Sequence, residues 1–204
     1  IPAVSWDIGV PEWGLITGYD DDTHMFYTLA INAEKADPTS PAYDSTKMPY
    51  DVLGKREVPI LSALTVTGIS GKSKEDIFRD TLKLAVNHLK GKEWCENASG
   101  LDAYPALIKV FEENPDIAAS WNGEYFLATY AALKEYAYKY FEKVQQAELA
   151  KLYKEVFNAW MEAFRIKSSK DATLFDVRAN IISQLKSAYE NEKKAVEIME
   201  SLLK

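Results

Sequence analysis

Along the first third of the chain apolar and polar residues alternate or form short apolar runs. After Gly71 the apolar residues recur every three or four positions instead. The first pattern is that of strands and the second that of helices. "AVSWDIG" is a short apolar run bounded by Gly9 and Pro11 as breakers. "EWGLITGYD" and "HMFYTLAI" follow as a strand pair, and "DDDT" between them supplies turn chemistry, because an aspartate side chain bonds its own backbone there. Asn32 to Met48 is polar and proline-containing, which predicts a surface loop. "PYDVLG" predicts one helical turn closed by Gly54. "VPILSALTVTGI" is apolar throughout and rich in β-branched residues, which predicts a strand covered on both faces.

In the second part "SKEDIFRDTLKLAVNHLKG" opens with Ser73 placed to cap, Asp76 three residues on, and Gly91 as the stop. Its predicted buried stripe is Ile77, Leu82 or Thr81, Leu84, Ala85 and Leu89. "GLDAYPALIKVFEENP" tolerates Pro105 only near its first turn and ends at Asn114 and Pro115. Asn122 to Val144 is a long aromatic helix whose predicted face is Phe126, Tyr130, Leu133, Ala137 and Tyr140 or Phe141. Ala147 to Lys167 repeats the theme with Leu149, Leu152, Val156, Trp160, Ala163 and Phe164. The last helix, Thr173 to Leu203, carries Leu174, Val177, Ile181, Leu185, Ala188, Glu192, Ala195, Met199 and Leu202 at spacings of three and four. That is a coiled-coil-like seam interrupted by one glutamate. The expected fold is therefore α+β: a small antiparallel sheet in a strand-rich portion, 1–71, followed by a helical array, 72–204.

Composition narrows the chemistry. The 204 residues are 47% hydrophobic and 27% charged, ordinary for a globular chain with a real core. A formal net charge of −7 with no basic stripe argues against a nucleic-acid partner. No apolar run approaches the roughly 18 residues of a membrane span. A single cysteine, Cys95, excludes an internal disulfide framework and fits a cytoplasmic setting. The opening "IPAVSWD" lacks a methionine, which suggests that an N-terminal part is missing.

Several residues invite a chemical reading. His24 beside the aspartate run lacks the glycine and distal glutamate of a calcium loop, and no HExxH or paired-cysteine pattern suggests zinc, so neither a metal nor a cofactor is expected. Cys95 has no base close in sequence and reads as a small apolar filler, while His88 suits a helix C-terminus. The aromatic stripe of Phe126, Tyr130, Tyr136 and Tyr140, with Trp121, Tyr125 and Tyr138, reads mainly as core. One helix face cannot hide all of those hydroxyls, so some reach solvent, a partner chain or a ligand. Glu12, at a strand start beside Trp6 and Trp13, has two readings: a carboxylate able to act as acid or base, or an exposed strand-edge charge that discourages sticky pairing.

With those residues in view, "IPAVSWDIGVPEWGLITGYDDDTHMFY" resembles the second half of the C39-like, papain-fold domains, the group that includes the N-terminal domain of butirosin-biosynthesis protein H. Pro2 to Trp6 looks like the family's apolar strand, and Gly18, Tyr19 and Asp20 look like the ending of its histidine-bearing strand. "PYDVLGKREVPIL" and "GLDAYPALIKVFEE" are similar to a bacterial branch with a helical C-terminal tail. The resemblance implies a cysteine nucleophile on an early helix, a histidine base before Gly-Tyr-Asp and an Asp or Asn orienter beyond the next strand. By register Glu12 stands in the histidine's place, Asn32 lies near the orienter's, and the cysteine helix would precede Ile1. A carboxylate with an unperturbed pKa near ~4.3 is a poor thiol base at neutral pH.

The expected function is accordingly a non-proteolytic papain-fold relative that binds a small molecule or peptide through Trp6, Glu12, Trp13, Tyr19 and Asn32, roofed by the aromatic helices. The alternatives are a cysteine-dependent acyltransferase or amidohydrolase-type enzyme, its nucleophile supplied by a missing segment or a partner chain, and a helical protein that self-associates through its C-terminal seam.

Overall fold

The computed structural model describes residues 1–9, 12–31, 46–55, 61–92 and 98–204. The expected α+β order is present: a five-stranded antiparallel sheet, then six α-helices among the described residues. The chain divides into two compact units, Ile1–Gly71 and Lys72–Lys204. Asn32 and Cys95 lie outside the described residues, as do most of the loop expected after Asn32 and the start of "VPILSALTVTGI".

In the strand unit β1 (Ala3–Trp6), β2 (Trp13–Asp20), β3 (Met25–Leu29) and β4 (Lys47–Pro49) follow one another as an antiparallel meander. β5 (Ala63–Thr65) returns to the free side of β1, giving the order β4-β3-β2-β1-β5. Two expectations are corrected here. The predicted loop ends early, because Lys47–Pro49 is a strand that buries Met48 opposite Phe26; its proline is tolerated because β4 is an edge. The strand predicted to be covered on both faces is the other edge, and all three of its residues are exposed. A continuous apolar run does not distinguish a central strand from an edge one. The helical turn predicted at "PYDVLG" is a 3-10 turn over Tyr50–Val52, closed by Gly54 at φ +74°.

Antiparallel partners directly opposite one another share a face of the sheet. One face carries Ile16, Phe26, Ala30 and Met48, covered by Ile8, Val52 and Leu53. Gly14 is required there: a Cβ on it would lie 2.6 Å from the Cβ of Ile8. The opposite face carries Val4, Trp6, Trp13, Leu15, Tyr27 and Leu29, and much of it is open to solvent.

The helical unit comprises α1 (Lys74–Leu89), α2 (Ala103–Glu113), α3 (Pro115–Ala119), α4 (Trp121–Lys143), α5 (Ala147–Ser169) and α6 (Phe175–Leu202). α1 begins as its sequence predicts, with the Ser73 hydroxyl accepting from the Asp76 amide at 3.0 Å, and Gly91 follows its end at φ +68°. Its stripe is narrower than expected. Leu82, Val86 and Leu89 are buried while Ile77 and Leu84 are exposed, because α6 is the main helix it packs on.

α4 packs along α5, and α5 along α6. The face predicted for α4 holds toward its C-terminal end, where Phe141 is buried and Ala137 and Tyr140 pack against the core, but is wrong by a rotation over its first half. Its buried positions are Gly123, Leu127, Ala131 and Phe141, while Phe126, Tyr130 and Leu133 are exposed. Small residues explain this: a Cβ on Gly123 would meet the Ala118 carbonyl oxygen at 2.8 Å, so the backbone approaches where bulk is least. The displaced aromatics form a ladder on the outside, Trp121 stacked on Tyr125 and Phe126 on Tyr130. The α6 seam is correct from Val177 to Met199, while its two end positions, Leu174 and Leu202, are exposed. Ile181, Leu185, Ala188, Ala195 and Met199 are fully buried, in one core with α2 and α5. The middle of the seam is therefore used within the chain.

Candidate functional site

The β1–β2 hairpin builds the site that the sequence singled out. Its loop is closed by the Glu12 carbonyl, which accepts from the amides of Asp7 at 3.0 Å and Ile8 at 3.3 Å. Asp7 sits at φ 66°, a left-handed backbone that aspartate tolerates better than most residues. The last rung pairs Trp6 with Trp13, whose rings meet edge to face at 5.5 Å, a favourable aromatic geometry. Trp13 is 51% exposed, and the partly covered Trp6 has a buried indole N–H with no hydrogen-bond partner among the described residues. Glu12 is partly exposed. Trp6 and Trp13 form one cluster at one end of the open sheet face, and Glu12 precedes Trp13 in the loop that closes the hairpin.

Tyr19 does not join it. Simple alternation along β2 would place Trp13, Leu15, Thr17 and Tyr19 on one face. The pairing with β3 instead slips between Ile16 and Gly18, so Thr17 is a bulge residue and the parity reverses. Tyr19 then pairs with Phe26 on the covered face, where it lies 67% exposed near the sheet end. Six residues of strand add a separation of about 20 Å from Trp13. The expected platform of Trp6, Glu12, Trp13 and Tyr19 is thus two separate places. The sequence signal was Gly18, since a glycine inside a strand often marks a bulge; the Tyr27 ring lies over it, 3.2 Å from where a Cβ would be.

Gly18-Tyr19-Asp20 serves the β2–β3 turn. Asp20 Oδ1 accepts from the amides of Asp22 at 3.0 Å and Thr23 at 3.2 Å. The side chain and amide of Thr23 hold the Asp20 carboxyl below its ordinary range. Tyr50 donates to Asp21 at 2.9 Å; partial desolvation, then that hydrogen bond, push its hydroxyl up to about 12. His24 packs on Tyr50 at the far end of β2 from Glu12, so the two cannot work as a pair. Among the described residues no three His, Cys, Asp or Glu side chains gather as a metal-holding group, and no helix is long and apolar enough to cross a membrane.

A second polar centre lies in the helical unit. Glu192, read from the sequence as an interruption of the seam, is only 1% exposed. Its carboxylate receives Lys134 Nζ at 2.6 and 2.9 Å and the Tyr104 hydroxyl at 2.6 Å. The buried Tyr153 hydroxyl lies within reach of its charge. Tyr104 in turn accepts from Trp160 Nε1 at 2.8 Å. Desolvation, then the Glu192 charge, raises both tyrosine hydroxyls well above their ordinary range. One carboxylate therefore ties α2, α4, α5 and α6, its lone pairs filled by donors. The arrangement fixes the bundle rather than offering a free base. The sequence signal was a charge at an apolar seam position, which demands a buried cation; nothing in the sequence identified Lys134 as that cation.

No protein-family model, no curated protein and no solved structure matches this chain.

Proposed function

We propose that the chain is a non-proteolytic relative of the papain-like, C39-like group that acts as a binding module, and that its ligand is an extended basic peptide laid on the open sheet face beside Trp6 and Trp13. The observation that carries this reading is the half-exposed Trp13, seated edge to face on the partly covered Trp6, on an apolar face that also carries Val4, Leu15, Tyr27 and Leu29. Aromatic residues at such positions are the usual anchors of binding energy. Charge favours a basic partner. Up to Gly71 the chain has ten acidic and four basic side chains, against twenty-one and twenty beyond it, so nearly all of the net negative charge belongs to the strand unit. Glu12, the residue before Trp13 in the chain, supplies a carboxylate at this end of the sheet for a lysine or arginine. A cytoplasmic setting accords with the single cysteine.

Fluorescence polarisation with a short labelled peptide of alternating lysine and valine tests the reading, with the glutamate–valine peptide as its control. The lysine peptide binds saturably and more weakly as salt rises. Trp13→Ala lowers its affinity roughly tenfold or more, and Glu12→Gln flattens the salt dependence. Equal binding of both peptides, or unchanged affinity in Trp13→Ala, overturns the proposal. So does concentration-dependent sedimentation without peptide that Trp13→Ala abolishes, since a second copy is then the occupant.

A further inference from the structure

Between α2 and α6 the helical unit holds a cavity of about 450 Å³, within the range of small-molecule sites. Phe111, Phe175 and Ile182 give it an apolar lining; Arg178 and Lys186 line it as cations and Glu112 as an anion. The unusual member is Arg178. It sits in the first turn of α6, 8% exposed, among residues that otherwise form core. Its Nη1 donates to the carbonyls of Ala172 and Thr173, which fixes the guanidinium plane. Its Nε is buried with no hydrogen-bond partner among the described residues.

A guanidinium held at one corner keeps its other donors for a second acceptor, and the fork of Nε and Nη2 matches the two oxygens of a carboxylate. A buried cationic donor left unsatisfied costs folding free energy, which a ligand accepting from this guanidinium would recover. The start of α6 adds to this. Leu174 at its N-cap makes no side-chain cap bond, and the positive end of the helix favours an anion near Arg178. Two cations against Glu112 leave the lining with one net positive charge, enough for one carboxylate. We propose that this cavity binds a small monocarboxylate with an aromatic or aliphatic body, its carboxylate on Arg178 with Lys186 alongside and its body against Phe111, Phe175 and Ile182.

The probe is 3-phenylpropanoate, with 3-phenylpropanamide and phenyl phosphate as comparisons, followed by amide chemical shifts of the labelled full chain and by calorimetry. The carboxylate binds with one-to-one stoichiometry and shifts the amides of Ala179, Ile182 and Ser183. The amide analogue binds roughly tenfold to a hundredfold more weakly, as expected when a charged hydrogen bond is lost. Ala179→Trp, at an exposed position lining the cavity, blocks binding, and Lys186→Glu weakens it about tenfold; Arg178→Lys, which keeps the charge and removes the fork, also weakens it. Should Arg178→Lys lower the melting temperature too far to be useful, the two exposed variants decide. Equal affinity for acid and amide, tighter binding of phenyl phosphate, or binding unaffected by Ala179→Trp overturns the proposal.

Discussion

Replacing Lys134 by methionine removes the one cation that the structure places on Glu192 while keeping the length and apolar stem of the side chain. The two oxygen distances, 2.6 and 2.9 Å, correspond to a gross attraction of about 6 kcal/mol at an effective dielectric constant near 20. That figure is not the net contribution, because both groups lost water to form the pair. Lys134 is 17% exposed and Glu192 1%, so both groups are largely desolvated and the carboxylate nearly completely. Removing the lysine therefore leaves a buried carboxylate whose remaining hydrogen-bond donor is Tyr104. Breaking a buried pair from one side typically costs about 3–5 kcal/mol. The Tyr104 hydroxyl that stays in place puts the expected loss toward the lower end, about 3 kcal/mol.

The double variant Lys134→Met/Glu192→Gln separates charge from packing. A glutamine carbonyl still accepts from Tyr104, and no buried charge remains, so most of the loss is recovered, to within about 1–2 kcal/mol of the natural chain. Urea unfolding followed by far-ultraviolet circular dichroism reports mainly on the helical unit, and an unchanged slope confirms that the variants are comparable. A single variant within about 1 kcal/mol of the natural chain would refute the reasoning. Such a result would mean that Glu192 is hydrated or neutral and that its place in the seam has another basis.

The same network predicts an alkaline transition. Tyr104 and Tyr153 have folded pKa values raised above the unfolded value of about 10. The stability linked to them is therefore complete below pH ~10 and falls as pH rises past it, by about 1.4 kcal/mol per pH unit for each tyrosine. Ultraviolet titration of the 12 tyrosines should show these two ionising only together with loss of helix; their titration in a fully helical chain would contradict the burial. In the strand unit, Gly14→Ala should destabilise by roughly 1–3 kcal/mol, because its Cβ would meet Ile8 at 2.6 Å. Gly68→Ala, with nothing within 4 Å, is the control, and equal melting curves for the two would dismiss the contact.

Strong local grammar was legible in the sequence. The cap at Ser73, the stop at Gly91, the turn at Asp20 and the period of the α6 seam each involve groups only a few residues apart. Such groups meet in nearly any compact arrangement of the chain. Choices set by distant partners were not legible. α4 has a ring-rich face and a small-residue face, and periodicity favours burying the rings; α3 approaches the backbone at Gly123 and reverses the outcome. β5 and Met48 depend on which strands have neighbours, a property of the whole sheet.

Thr17 draws these limits onto the site itself. One extra residue in β2 contributes little to any average of hydrophobicity, yet it decides whether Tyr19 faces the same side as Trp13. The Thr17 hydroxyl donates to the Tyr27 carbonyl at 3.2 Å, and Gly18 clears the space under the Tyr27 ring, so two neighbouring residues hold the slip in place. The consequence is chemical as well as geometric. The bulge separates the turn-building Gly18-Tyr19-Asp20 from the tryptophan pair and leaves Glu12 with Trp6 and Trp13 at the other end of β2, where a base would need a partner that His24 is too distant to be. An exposed Trp13 ring seated on Trp6, on an acidic unit, is suited to holding a cation in place, and that is the physical content of reading this hairpin as a binding surface.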